Sequence, residues 1–389
     1  MMVKRDFKLK LLFLSGSHTI VHSYSNLSIV LLPILINDFG ISLFVASIIV
    51  AIPRMSSLIF SVPSGLLSDR LGHTKLISFS LFLEVIAASL VLLRPSIVTM
   101  VLCFSLTSIG TTFYHPSALS ATSNVLPANF RSTGMGVYSA SGVLGMSIGP
   151  ITLGLILNWF EWRYVYLVWI IPIFIMAVIA FFIKISEHTA EEKVERKTKR
   201  SFIAPIKEVL TATFLSFLLL MLIRSAAGTT ISTYLTTYLT ESKGLEVGLA
   251  SIVFGLSPLI GIVSPIIGGY VGDKLDWKKS FTLLFILTVV ALFGVFLSVS
   301  TIQIIVFYLC FGFFGRMTMP IRNTLVSKIV PQKSRGTAYS FQFIPMSIIG
   351  IVMPIILSIV IDLYDLWIIF PIAIIFYIIA IIYTQILQL

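Results

Sequence analysis

Long apolar runs dominate the chain, each ended by charged residues, glycine or proline. A helix that crosses hydrocarbon needs about 20 apolar residues. Runs of that length predict helical spans at 11–36, 41–67, 76–93, 97–120, 133–157 and 164–183. A second set follows at 212–239, 247–270, 280–299, 302–327, 336–361 and 366–387. Twelve spans of about 24 residues account for about 288 positions, so little chain is left for loops. The pattern predicts an all-α membrane protein of twelve transmembrane helices in two six-helix bundles.

One long polar segment interrupts this pattern, near the chain midpoint. It divides the chain into an N-terminal bundle (1–184), a cytoplasmic linker (185–207) and a C-terminal bundle (208–389). The basic end of the linker suits anionic lipid headgroups at the bilayer surface. The N-terminus is basic and runs directly into the first apolar stretch with no small-residue cleavage site, which predicts a retained span rather than a signal peptide.

Composition narrows the class. Of 389 residues, 57% are apolar and 11% are charged. Soluble domains carry roughly a quarter charged residues, so a soluble enzyme, a disordered chain and a nucleic-acid binder are all excluded. The net charge of +11 reflects topology. With both termini cytoplasmic, 20 of the 27 Lys and Arg residues fall on inner segments, 3 on outer segments and 4 within spans. That bias orients the chain in a plasma membrane by the positive-inside rule. Cys103 and Cys310 sit in separate apolar runs and form neither a disulfide framework nor a metal set.

The halves also repeat each other. At an offset of 204 residues, Gly65 meets Gly269, Asp69 meets Asp273, and Arg70 meets Lys274. Pro116 meets Pro320, Pro127 meets Pro331, Arg131 meets Arg335, and Pro150 meets Pro354. Because the offset spans six helices, paired segments run in the same membrane direction, which makes a parallel repeat. Transporters built this way place their site at the repeat interface and alternate by rocking.

These residues carry a resemblance. The segment Gly65-Leu-Leu-Ser-Asp69-Arg70-Leu-Gly72-His-Thr-Lys75 resembles the loop signature of the major facilitator superfamily, and Gly269 to Lys279 is a weaker copy with Asp276 in place of glycine. The resemblance implies a pseudo-symmetric major facilitator fold and a cytoplasmic gate built on Gly65, Asp69, Arg70, Gly72, Lys75, Asp273 and Lys274. In the fifth span, Gly136, Gly145, Gly149, Pro150 and Gly154 are similar to the helix motif of antiporters in that superfamily, with Leu153 replacing one glycine. Glycines let helix backbones approach closely, and Pro150 removes a backbone donor and permits a bend. His18, His22 and Pro33, with the run Gly110 to Pro116, resemble the fosmidomycin-resistance-like branch. That branch usually has Asp where this chain has His22.

Ionisable groups inside spans usually face a cavity or a partner. His18 and His22 are four residues apart, so they share a helical face. With Tyr114 and His115 on the fourth span, Arg224 on the seventh and Arg316 on the tenth, they are the candidate lining of a substrate cavity. No acidic residue lies in the predicted spans of the second half, and Arg presents a planar donor fork suited to carboxylate, phosphate or phosphonate. Arg322 lies nearer a span end and is expected to snorkel. Glu84 is the carboxylate clearly inside a span. Arg54 lies at a depth from which it could reach Glu84, giving a buried ion pair or, with His22, a proton-coupling set. Tyr24, Asn26, Tyr138 and Gln342 are further hydrogen-bonding candidates. Two histidines without a carboxylate or cysteine do not predict a metal site, and no cofactor is expected.

The reading is a secondary transporter, expected as a monomer, that exports a small organic anion in exchange for protons. Its rival is a symporter or exchanger for an anionic metabolite such as an organic acid or phosphate ester. An enzyme is not expected, since no nucleophile–base set stands at matched depth.

Overall fold

The computed structural model describes residues 2–127, 131–183, 209–330, 338 and 341–388, without the side chains of 2–6, 62, 65, 66, 68–70, 131–133, 327 and 343. The predicted linker and the side chains of Asp69 and Arg70 therefore lie outside the described residues. Every regular element among those described is helical. The first set comprises α1 (Met2–Ser25), α2 (Leu27–Val30), α3 (Leu32–Phe39), α4 (Leu43–Leu71), α5 (His73–Leu93), α6 (Ile97–Val125), α7 (Arg131–Ile156) and α8 (Tyr164–Phe182). The second comprises α9 (Ala212–Thr237), α10 (Val247–Ile260), α11 (Ser264–Lys274), α12 (Trp277–Leu297), α13 (Thr301–Ile329), α14 (Phe343–Tyr364) and α15 (Ile369–Ile386).

Among the described residues, ten helices are long and apolar enough to cross a membrane, and the count reaches 12 when each of two bent pairs is one span. The first bent pair, Phe7–Val30 with Leu32–Phe39, turns by 49°, with Pro33 in the first turn beyond the break. The second, α10 with α11, turns by 44° in a stretch punctuated by Pro258, Gly261 and Pro265. Proline removes an intrahelical donor and clashes with the preceding turn, which is why the bends fall there.

The 204-residue repeat extends to element boundaries. α4 and α10 begin at 43 and 247, α5 and α12 span 73–93 and 277–297, and α6 and α13 span 97–125 and 301–329. Caps repeat too. Ser96 and Thr99 form a capping box at the start of α6, and Ser300 and Gln303 form one at the start of α13. Each box satisfies backbone donors that the first turn leaves open. The helix starts after α4 and α11 solve one problem in two ways. Gly72 takes φ 87°, which suits glycine, while Asp276 keeps φ −62° and accepts the Lys279 N–H at 3.0 Å.

The chain forms two compact units, one covering Met1–Val194 with Gly244–Gly255, the other Glu195–Lys243 with Leu256–Leu389. In the first, α1 packs on α7 and α6, while α5 packs on α6 and α8, and α4 on α6. In the second, α12 packs on α13 and α15, α9 on α14 and α15, and α11 on α13. Outward faces are apolar. Leu93, Phe182 and Val299 are 84%, 81% and 90% exposed, a surface suited to lipid rather than water. Inward faces carry small residues, such as Ala87, Ala88, Ala177 and Ala180, which are fully buried. Small residues let helices associate closely where no hydrophobic drive separates protein from lipid.

Four glycines of the fifth predicted span show what that closeness requires. A Cβ at Gly145 would strike the Thr19 carbonyl, and one at Gly149 the Ser23 carbonyl, both on α1. A Cβ at Gly154 would strike the carbonyl of Gly248, within the segment that groups with this unit. Gly136 has open space instead. Gly145→Ala and Gly149→Ala should each lower stability in detergent by roughly 1–3 kcal/mol, because the obstacle is backbone. Gly136→Ala should be neutral or gain up to about 1 kcal/mol from helix propensity. Thermal melts of the three variants check this, and equal effects would contradict the packing account.

At Asp276, the Lys279 backbone N–H holds the carboxyl below the usual carboxylate range. A lowered folded-state value makes its contribution full above that range and lost as pH falls through the lowered value. Asp276→Ala should therefore melt earlier than the parent chain at neutral pH, and the gap should close on acidification. A gap independent of pH would show that the carboxylate does not cap the helix.

Candidate functional site

Each unit holds its own polar centre. In the first unit the centre is three imidazoles. His18 and His22 stand one turn apart on α1 with ring centroids 4.8 Å apart. His115, on α6, lies 5.4 Å from His18 and 5.0 Å from His22. One ring nitrogen from each can be chosen so that all lie within 4.8 Å of one another. His18 is buried, and the other two are half-buried.

The position of His18 is set by α7. Its ring stacks on Tyr138, with centroids 4.1 Å apart and planes 5° from parallel. Its Nδ1 lies 2.8 Å from the Tyr138 carbonyl oxygen. A carbonyl only accepts, so Nδ1 carries the proton and Nε2 keeps its lone pair. Ser141 Oγ lies 3.4 Å from the same Nδ1 and donates to the Tyr138 carbonyl at 2.7 Å. Gly142 supplies the room, since a Cβ there would run into the His18 ring. Ser141 and Gly142 were not singled out by sequence reasoning. Gly142 is one turn before Gly145 on the same face, and that spacing is the signal that could have found it.

The remaining candidates of this unit divide. Tyr114 is fully buried in the core, and its hydroxyl donates to the Leu14 carbonyl at 3.1 Å and lies 2.7 Å from Ser17 Oγ. It packs the α1–α6 contact. Tyr24 is buried, 3.6 Å from the Cys103 sulfur, and Asn26 donates to the His22 carbonyl at 3.1 Å. Glu84 is completely buried, and neither of its carboxylate oxygens has a hydrogen-bond partner. Arg54 is exposed on α4. No ion pair joins the two, so the bridge that the sequence allows is not formed. Glu84 points from α5 towards Gly110 of α6, whereas Arg54 is exposed on α4.

The second unit holds the arginines. Arg316 Nη1 donates to the Ser257 carbonyl at 3.3 Å, the Ser257 hydroxyl at 3.2 Å and the Gly312 carbonyl at 3.2 Å. Its side chain passes over Gly261, where a Cβ would collide with it. The glycine at the bend between α10 and α11 thus also admits the arginine. Arg224 Nη2 donates to the Gly315 carbonyl at 3.1 Å, and its Nε has no partner. Arg224, Arg316 and Arg322 are half-buried, and among the described residues none forms an ion pair with a carboxylate. Ser257 and Gly312 are contacts that the sequence did not mark. Gln342 is buried with its Oε1 unpartnered.

The residues of the signature loop lie at the α4–α5 junction, where Gly72 sits between the helices and Lys75 is exposed. Asp273 and Lys274 are exposed at the end of α11, with Lys274 Nζ 5.7 Å from the Tyr270 ring centre.

The family profile of the Major Facilitator Superfamily matches residues 14–342 and 278–387. The chain is similar to the riboflavin transporter RibZ of Clostridioides difficile (strain 630), at 22% identity over 331 residues, covering 71% of each chain. It is also similar to the fosmidomycin resistance protein of Escherichia coli (strain K12), at 20% identity over 316 residues, covering 81% of this chain and 74% of that one. Among solved structures, a bacterial homologue of the human lysosomal transporter Spinster, inward-facing and unoccupied, matches with a TM-score of 0.82 at 16% identity over 98% of this chain and 96% of that one. The nucleoside transporter NupG matches with a TM-score of 0.80 at 12% identity, over 98% and 100% of the two chains.

The orphaned carboxyl of Glu84 makes a testable demand on stability. Glu84→Met keeps the volume and removes a buried polar group with no partner, so stability should rise by roughly 1–3 kcal/mol. A thermal melt in detergent measures it, and a fall would show that the carboxyl has a stabilising partner.

Proposed function

The chain belongs to the Major Facilitator Superfamily and is a multi-pass membrane transporter rather than an enzyme, and on that premise we propose that it exports a small organic anion in exchange for protons by alternating access. The observation that carries this reading is the pairing of Arg224 with Arg316. Both are half-buried in the same helical unit, and their hydrogen bonds go to carbonyls and one hydroxyl. Arginine stays charged in proteins. A charge held at membrane depth without a counter-charge is costly, and an anionic guest supplies that counter-charge in the form the guanidinium fork fits best.

Export is supported by the antiporter-like spacing of Gly136, Gly145, Gly149, Pro150 and Gly154, and by the relative whose name records drug resistance. The groups available to carry a proton are His22, His115 and Glu84 in the first unit. Asp69 and Arg70, with Gly65, Gly72, Lys75, Asp273 and Lys274, serve as the cytoplasmic gate in this proposal. The termini lie in the cytoplasm and the protein in the plasma membrane, as the charge bias favours.

Inverted vesicles containing the purified protein, made acidic inside, test the reading with a panel of anionic, neutral and cationic compounds. An anion should dissipate the gradient, and Arg224→Ala and Arg316→Ala should each reduce that flux at least about tenfold, the effect of losing roughly 1.4 kcal/mol of interaction. Flux of an identified anion unchanged in both variants would refute the cationic site. Dissipation by lipophilic cations alone would retain export and reject the anion. Uptake of an anion together with protons would favour the metabolite symporter instead.

A further inference from the structure

We propose that His18, His22 and His115 form a binding site for a divalent first-row transition-metal ion. This goes beyond the transport reading and does not depend on which compound is carried. Two histidines one turn apart are weak grounds for a metal, but the fold adds a third imidazole from a different helix. One nitrogen of each lies within 4.8 Å of the others. Zinc-bound imidazole nitrogens stand about 2.0–2.1 Å from the ion, so tetrahedral geometry places them about 3.4 Å apart. The gap to be closed is about an ångström and a half, and the final side-chain torsion of histidine is soft enough to supply it by turning the rings.

A second observation is independent of that spacing. Histidine ligands to metals almost always donate their other ring N–H to a carboxylate, a backbone carbonyl or water, which fixes the tautomer and aims the free nitrogen. His18 already has this support, from the Tyr138 carbonyl at 2.8 Å, with Ser141 Oγ beside it. The stacking on Tyr138 and the space left by Gly142 hold the ring plane. Among the described residues, none hydrogen-bonds the ring nitrogens of His22 or His115, and both residues are half-buried rather than sealed. Three imidazoles with no carboxylate or thiolate suit zinc, nickel, cobalt or copper and disfavour magnesium or calcium, which prefer oxygen ligands. Three protein ligands leave a fourth tetrahedral position for water or another ligand.

The test uses the full-length transporter in detergent, purified without a histidine tag and stripped with a chelator. Cobalt(II) is the optical probe. One equivalent should produce the visible absorption of tetrahedral cobalt, and zinc added afterwards should abolish it. His22→Asn and His115→Asn should each weaken cobalt binding at least about tenfold, the lower end of the loss seen even for supporting contacts. His188→Ala, in the linker, should bind as the parent chain does. Size-exclusion elution confirms that each variant is folded. If His115→Asn is not folded, zinc should still raise the melting temperature of the parent chain and fail to raise that of His22→Asn. Absence of binding to the parent chain, or full binding by the folded His22→Asn/His115→Asn double variant, would overturn the site. Because the readout is binding, failure of anion transport leaves this result unaffected.

Discussion

Hydrocarbon offers no hydrogen bonds, and that constraint organises everything else in the molecule. Each backbone donor and acceptor must be satisfied within its own helix or by a neighbour. Many serine and threonine hydroxyls follow the same rule, and the carbonyls of Thr107, Ser108 and Ala118 of α6 each accept from a hydroxyl one turn on, at 2.7 Å. The exceptions stand out against that background. Among the described residues, both oxygens of Glu84, the Nε atoms of Arg224 and Arg322, Gln342 Oε1 and a few hydroxyls are buried polar atoms without a partner, and the ionisable ones are the costliest of them.

The same constraint explains why glycine matters so much on α7. In lipid, helices gain little from hiding apolar surface from each other, so contact depends on close approach. Gly145 and Gly149 bring α7 onto carbonyls of α1, and Gly142 then admits the His18 ring between them. Packing and site are linked here: the glycines of α7 set the spacing to α1, and Tyr138 on the same helix sets the plane and tautomer of the His18 imidazole. Gly261 plays the corresponding part in the second unit, where the bend that breaks α10 from α11 opens the path for Arg316.

The internal repeat shows how far two copies of one plan can drift. Element starts and capping boxes keep the offset of 204 residues, because helix ends need their donors satisfied whatever the function. The chemistry does not keep it. Imidazoles collect in the first unit and guanidinium groups in the second, so each copy brings a different chemistry to its polar centre.

The sequence alone determined that the chain is helical at membrane length and placed most helix ends within a few residues, because a span is a local property of length and hydropathy; the breaks that split two of the twelve predicted spans came from the structure. Glycine and proline at a fixed offset also made the repeat legible without coordinates. Contacts between distant segments were another matter. Whether Arg54 reaches Glu84 depends on the rotation of α4 and α5 about their axes, and hydropathy that is nearly uniform around a span does not encode rotation. In the structure Glu84 is buried, Arg54 is exposed and no ion pair joins them. By the same physics, Tyr114 and His115 are adjacent in sequence but about 100° apart around α6. One became core and the other joined His18 and His22, and only the packing of α6 against α1 could decide which.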